Sequence, residues 1–234
     1  MLQPPMPSTL PGMICYLAGC DDRPAPVRLV LGKIAQLARR ELPGCDAASI
    51  TYLGDGGFTT LAADPELVRA VDEAQYAEGD GPCLRAVRGG HLAGERLDAS
   101  VHWPGFRGAA HRLGLRSVIA VPLFTAMGDP VASLNLWSRA AGGLRPLQAA
   151  LVDLFGSYAA LTDWAVPAGF DPGEAQLLEG VRVALELRMV IHRAVGYLAV
   201  QHHVRPEEAF QQLCSDARAA GVDVAHTARR LLPH

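Results

Sequence analysis

Apolar residues recur at helical spacing from Val27 through Val30, Leu31, Ile34, Leu37 and Ala38, and Pro43-Gly44 closes the helix they predict. Ala47 to Leu53 and Phe58 to Ala62 read as two strands of a hairpin across the turn Gly54-Asp55-Gly56-Gly57. Pro65 opens a second helix, with Asp64 and Glu66 at the positive end of its dipole. The loop Gly79-Asp80-Gly81-Pro82 leads into a short helix through Cys83, Leu84 and Val87. His91 to Leu97 reads as a strand, and Trp103-Pro104 begins another short helix that stops at Gly114. Arg116 to Phe124 and Val131 to Trp137 read as strands joined at Met127-Gly128-Asp129, and a long helix runs from about Arg145 to Ala165. Residues 1–24 are proline-rich and aperiodic and read as a mobile tail; residues 25–166 form one domain, and 167–173 read as a linker.

Residues 174–234 carry a different pattern, that of three helices. The first has one apolar stripe through Ala184, Leu187, Ile191, Ala194 and Leu198, and a second through Leu178, Val181 and Leu185 on an adjacent face. A helix of a small bundle needs one stripe, so the second calls for another partner. A second copy of the chain and the last helix of the preceding domain are the two alternatives, and dimerisation is the more economical. Pro206 opens the second helix, Gly221 caps its end, and Asp223 caps the start of the third. Gly196 sits in mid-helix, where glycine costs roughly 1 kcal/mol relative to alanine, so a packing or contact reason is expected.

Composition narrows the picture. The chain has 234 residues, half of them hydrophobic and 19% charged, enough for one large or two small packed domains. Helices at both ends of an antiparallel set of strands make the first part α+β. No apolar run is long enough to span a membrane, the N-terminus does not read as a secretory signal, and the chain is expected to be cytoplasmic. Five irregularly spaced cysteines signal neither a disulfide framework nor a zinc ribbon. The adjacent His202 and His203 point apart on a helix, and no phosphate-binding, dinucleotide or nucleophile-elbow motif is present. No metal, no cofactor and no enzymatic activity are therefore expected. Cys83 reads as a packed small residue rather than a nucleophile.

The stretch Gln75-Tyr76-Ala77-Glu78-Gly79-Asp80-Gly81-Pro82-Cys83-Leu84-Arg85-Ala86, followed by Trp103-Pro104 and by Gly114-Leu115-Arg116-Ser117-Val118, resembles GAF domains found upstream of ANTAR modules. Arg188-x-x-Ile191-x-x-Ala194-x-Gly196-x-Leu198, then Pro206-Glu207-Glu208-Ala209-Phe210, then Asp223-Val224-Ala225, resembles the ANTAR module of bacterial transcription antiterminators. The resemblance implies a GAF-like antiparallel sheet flanked by helices, followed by an all-α three-helix ANTAR bundle. It implies a homodimeric sensor that binds hexaloop RNA hairpins in nascent transcripts and opposes terminator formation, the sensor biasing dimerisation or helix exposure.

The residues matching the ANTAR pattern give Arg188, His192, Arg193, Ala194, Gly196, Tyr197 and Arg218 as the RNA-binding set, with Ala194 and Gly196 as the point of close approach to an unpaired base. The GAF resemblance places an unidentified small ligand against Gly79, Asp80, Gly81, Cys83, Val118 and Ala120. Two departures support an alternative, a dimeric small-molecule sensor with a degenerate ANTAR module that binds no RNA. Val195 stands where the family commonly has lysine or glutamine. From residue 174 onward the seven arginines (182, 188, 193, 205, 218, 229, 230) are balanced by seven acids (174, 179, 186, 207, 208, 216, 223).

Overall fold

The computed structural model describes residues 6–20, 24–126, 128–157 and 161–232. Five strands, β1 (Ala47–Gly54), β2 (Gly57–Asp64), β3 (Ala93–Arg96), β4 (Ser117–Phe124) and β5 (Pro130–Ser138), form one antiparallel sheet in the order β2-β1-β5-β4-β3. Every residue of β4 is buried, because both faces of the sheet are covered. On one side lie α3 (Arg69–Glu78), α4 (Pro82–Gly89) and α5 (Pro104–Arg112), packed over Val118, Ala120 and Trp137. On the other lie α1 (Leu10–Ala18), α2 (Pro24–Glu41), α6 (Arg145–Gly156) and the first half of α7 (Pro172–His202), packed over Ile50, Ile119, Val121 and Leu134. The second half of α7 joins α8 (Pro206–Ala220) and α9 (Val224–Leu231) in a small three-helix bundle. Among the described residues no helix is long and apolar enough to cross a membrane.

The fold class read from the sequence holds, and four local expectations change. Residues 10–18 are not a tail. Leu10, Met13, Ile14 and Leu17 recur at helical spacing and are buried against α2 and α7. Pro11 hides this periodicity from a composition-based reading but is tolerated in the first turn, where its missing N–H has no helical partner. The Thr9 hydroxyl accepts a hydrogen bond from the Gly12 N–H to cap the helix, and the Glu41 carboxylate accepts one from the Leu10 N–H at 3.2 Å. The rest of the expected tail, residues 1–5 and 21–23, lies outside the described residues, as does Met127 of the β4–β5 turn.

The helix expected over 145–165 stops at Gly156; residues 158–160 fall outside the described set and 161–163 form turns. The stretch 167–173 is not a free spacer. Phe170 packs on the core of the first domain, and Asp171 starts α7 with a capping box in which its carboxylate accepts from the Gly173 and Glu174 N–H groups. The two parts of the chain are therefore joined through the interior of one 31-residue helix, roughly 46 Å long at 1.5 Å per residue.

Finally, the second apolar stripe needs no partner chain. Leu178, Val181 and Leu185 are buried against the core of the first domain, and α1 is the main element covering this half of α7. Gly180 lets α1 approach so closely that a Cβ there would lie 2.6 Å from Pro11 Cα, and the Cys15 thiol donates to the Gly180 carbonyl at 3.5 Å. The dimer expected from this stripe thus loses its motive: the alternative, packing within the chain, is what occurs, with α1 rather than α6 as the principal partner.

Candidate nucleic-acid interface

The bundle is built from small residues. Ile191, Ala194 and Leu198 of α7 meet Ala209, Phe210, Leu213 and Ala217 of α8 and Val224, Ala225 and Ala228 of α9. Pro206 opens α8, with Glu207 and Glu208 in its first turn, and Gly221 at φ 69° closes it. The Asp223 carboxylate accepts from the His226 N–H at 2.6 Å and so starts α9.

The structure separates the expected RNA-binding residues into three groups. Ala194 is fully buried, in the bundle core. It cannot share a notch with Gly196, because residues two apart on a helix face about 200° apart; its small size instead brings the three helices together. Arg188 is also turned inward. Its guanidinium lies over the Phe124 ring at the end of β4, 4.3 Å from the centroid, and its buried Nε finds no acceptor. His192 is exposed but lies against Gly128 of the β4–β5 turn.

The third group does form a surface. Arg193, Gly196 and Tyr197 are exposed, with Val200 on the same face at the i, i+3, i+4, i+7 spacing. Tyr197 is 41% and Val200 76% exposed, and nothing lies within 4 Å of where a Gly196 Cβ would stand. The backbone here is open to solvent between an aromatic ring and a guanidinium. Arg218 is exposed on α8. Two other arginines of the module are occupied by acids: Arg182 by Glu179 and Glu186 at 2.6 and 2.5 Å, and Arg205 by Glu208 at 2.8 Å. Val200 is the residue that the sequence reading missed, although its helical spacing from Arg193 was legible.

In the first domain, each of the six residues expected to line a ligand pocket has a structural setting. Gly79 ends α3 in the left-handed conformation at φ 69°. Asp80 accepts from both nitrogens of an Arg85 fork (2.9 and 2.7 Å), from Trp103 Nε1 (3.1 Å) and from the Gly81 N–H (2.8 Å), and these donors, led by Arg85, lower its pKa to about 2. Gly81 leaves room for the Gln75 side chain, which a Cβ would strike. Gln75 accepts from the Cys83 N–H at 2.9 Å and donates to Cys83 Sγ at 3.0 Å. Burial holds the Cys83 thiol well above its ordinary pKa, so it is not a ready nucleophile. Val118 and Ala120 are buried in the core, and Val118 also borders an open recess of about 290 Å³ with Glu95, Arg96 and Arg145.

A buried polar layer, which the sequence reading did not single out, lies on the same side of the sheet. Asn135 donates to Ser49 Oγ (3.1 Å) and Thr51 Oγ1 (2.9 Å) and accepts from Ser133 (2.8 Å). The register explains it: Ser49 stands opposite Asn135, and Thr51 opposite Ser133. Thr60 donates to Asp72 at 3.1 Å, and the Tyr76 hydroxyl meets Thr51 and Thr60 at 3.0 and 2.9 Å. Burial pushes the Asp72 carboxyl up to about 7 against the opposing hydrogen bonds from Ser49 and Thr60, and its Oδ1 has no partner. The alternation Ser133-Leu134-Asn135-Leu136-Trp137 was the available signal.

Comparisons with known proteins agree with the order of the two parts. The ANTAR domain matches residues 179–232 and the GAF domain matches residues 25–162. No curated protein matches the chain. Solved structures similar to it include the GAF domain region of a protein from Geobacter sulfurreducens PCA (14% identity, 70% of this chain and 93% of that one, TM-score 0.39). A second is a type II free methionine-R-sulfoxide reductase from Thermoplasma acidophilum (18%, 54% and 85%, TM-score 0.37). A third is a domain of a Sinorhizobium meliloti 1021 protein described as a two-component sensor histidine kinase (15%, 74% and 93%, TM-score 0.39). At these scores the likenesses carry no argument about chemistry. The GAF match spans more than half of the sequence and the ANTAR match begins within α7, so this chain belongs to the GAF domain family and also carries an ANTAR domain.

Proposed function

We propose that the protein is a cytoplasmic RNA-binding regulator of transcription antitermination, in which the GAF domain senses a signal and the ANTAR bundle binds the loops of RNA hairpins in nascent transcripts. The observation that carries this reading is the open backbone at Gly196, within the matched ANTAR domain and flanked on one helix face by Arg193, Tyr197 and Val200. Loop recognition needs that combination. An unpaired base stacks on an aromatic ring, a guanidinium holds a phosphate, and a missing side chain admits the base to the backbone. Arg188 joins this face only once its guanidinium leaves Phe124, whereas His192 and Arg218 are already exposed. Ala194 serves it indirectly, by holding the bundle together.

The test is binding of a hairpin with a six-nucleotide loop by the full chain across a salt series. The binding constant is expected to fall with salt, and Gly196→Leu to weaken binding while leaving the fold intact; equal affinity in that variant rejects the surface. One observation favours a second reading, that of a dimeric small-molecule sensor that binds no RNA: the module's arginines and acids balance, and two of the arginines are held by acids. It predicts no binding even at low salt, with a dimer seen by light scattering.

A further inference from the structure

One sensor side chain lies in the apolar cluster of the ANTAR bundle. Ala126, in the turn between β4 and β5, is 1% exposed and packs with Ile191, Ala194 and Leu198. The same turn touches α7 at two further points. Phe124, just before it, carries the Arg188 guanidinium on its ring, and a Cβ added at Gly128 would collide with the His192 imidazole. Arg188 and His192 are four residues apart, so they present one face of α7 to one turn of the sensor. The Ala126 N–H donates to the Cys20 carbonyl at 3.0 Å, which ties the turn to the end of α1 as well.

We propose that Phe124, Ala126 and Gly128, the described residues around the β4–β5 turn, form an intramolecular dock that masks the Arg188 guanidinium, with the exposed His192 resting on its edge, so that this arrangement is the closed form of the RNA-binding face. The proposal rests on the reading of α7 as that face. Arg188 supplies the chemical reason. Its Nε is buried without an acceptor, a cost that stacking on Phe124 offsets only in part. A phosphate oxygen would give that N–H its acceptor. The Phe124 ring and an RNA phosphate therefore compete for one guanidinium, and each stabilises a different position of the Arg188 side chain. The turn runs directly into β5, whose Ser133 and Asn135 belong to the buried polar layer, so a signal that rearranges that layer reaches the dock through a single strand. Such a signal opens the dock only to the extent that it binds the open form more tightly.

The test uses the full chain and two readouts. Arginine modification by phenylglyoxal, followed peptide by peptide, is expected to be several-fold slower at Arg188 than at exposed Arg193. Ala126→Glu places a carboxylate among the bundle's apolar side chains, and Phe124→Leu keeps apolar bulk but removes the ring; should the first fail to fold, the second suffices. Both should bring Arg188 to the reactivity of Arg193 and tighten binding of the six-nucleotide-loop hairpin about ten-fold, the size of a shift of roughly 1.4 kcal/mol. Adding Arg188→Gln to Phe124→Leu should erase the gain. Arg188 reacting as fast as Arg193 in the unmodified chain overturns the dock, and unchanged RNA affinity after Arg188 is exposed overturns the masking. No RNA binding by any of these proteins, with Arg188 still shielded, rejects the RNA surface and with it the gate, and leaves only the dock.

Discussion

Each half of α7 has a glycine in its helical interior, Gly180 and Gly196, and the two have opposite surroundings. Gly180 is pressed against Pro11 of α1, where any side chain would collide with backbone. Gly196 has open space where its side chain would be. Both weaken the helix by about 1 kcal/mol relative to alanine. The first loss is repaid inside the chain, by the close packing of α1 on Leu177, Leu178 and Val181. The second has no return within the chain. Open space alone names no ligand, since Gly32 in mid-α2 is equally unobstructed; at Gly196 the proposed RNA surface rests on the ring and guanidinium beside it.

The sharpest way to break this contrast is to fill both positions. Gly180→Leu should cost about 2–3 kcal/mol by overpacking, read as a lower urea midpoint, whereas Gly196→Leu should leave the midpoint unchanged or raised. Equal shifts would show that the two sites do not differ.

The sensor side can be tested by pH. The folded pKa of Asp72 is raised to about 7, so its contribution to stability is complete below the unfolded value of about 4 and is lost as pH rises towards 7. Asp72→Asn, which cannot ionise, should therefore gain on the wild type between pH 5 and pH 8, by on the order of 2 kcal/mol at the upper end, in thermal unfolding followed at both values. A constant difference across that range would show that the carboxyl keeps an ordinary pKa.

On the RNA side, Tyr197→Ala should weaken hairpin binding by about 1–2 kcal/mol without moving the melting temperature. Undiminished affinity in a filter-binding titration would remove the ring from the interface. The smallest expected effect is that of Gly196→Ala: up to about 1 kcal/mol more stable in urea, yet a weaker RNA binder. A variant that gained on both counts would leave this glycine without a role.

Much of the architecture was legible. The hairpins at Gly54-Asp55-Gly56-Gly57 and Met127-Gly128-Asp129, the caps at Gly221 and Asp223, and the two stripes of α7 all follow from local rules about turns, helix ends and periodicity. The first helix escaped notice because Pro11 and Gly12 lie within nine residues, and their composition outweighed the spacing of Leu10, Met13, Ile14 and Leu17. The candidate site was legible in part. Arg193, Gly196 and Tyr197 stand at the surface, whereas the pairing of Ala194 with Gly196 came from a motif read along the chain rather than around the helix.

Periodicity, turn chemistry and two matching motif sets determined by themselves that this chain is an α+β sensor followed by a helical module, because each depends on neighbours within a few residues. Only the tertiary structure decided which surface covers each stripe, that Ser49, Asp72 and Asn135 meet in the interior, and that Arg188 rests on Phe124. Those outcomes depend on which of several chemically acceptable surfaces reaches an apolar face or a guanidinium first. That choice is made by packing between segments more than a hundred residues apart, such as α1 and α7, and local pattern carries no record of it.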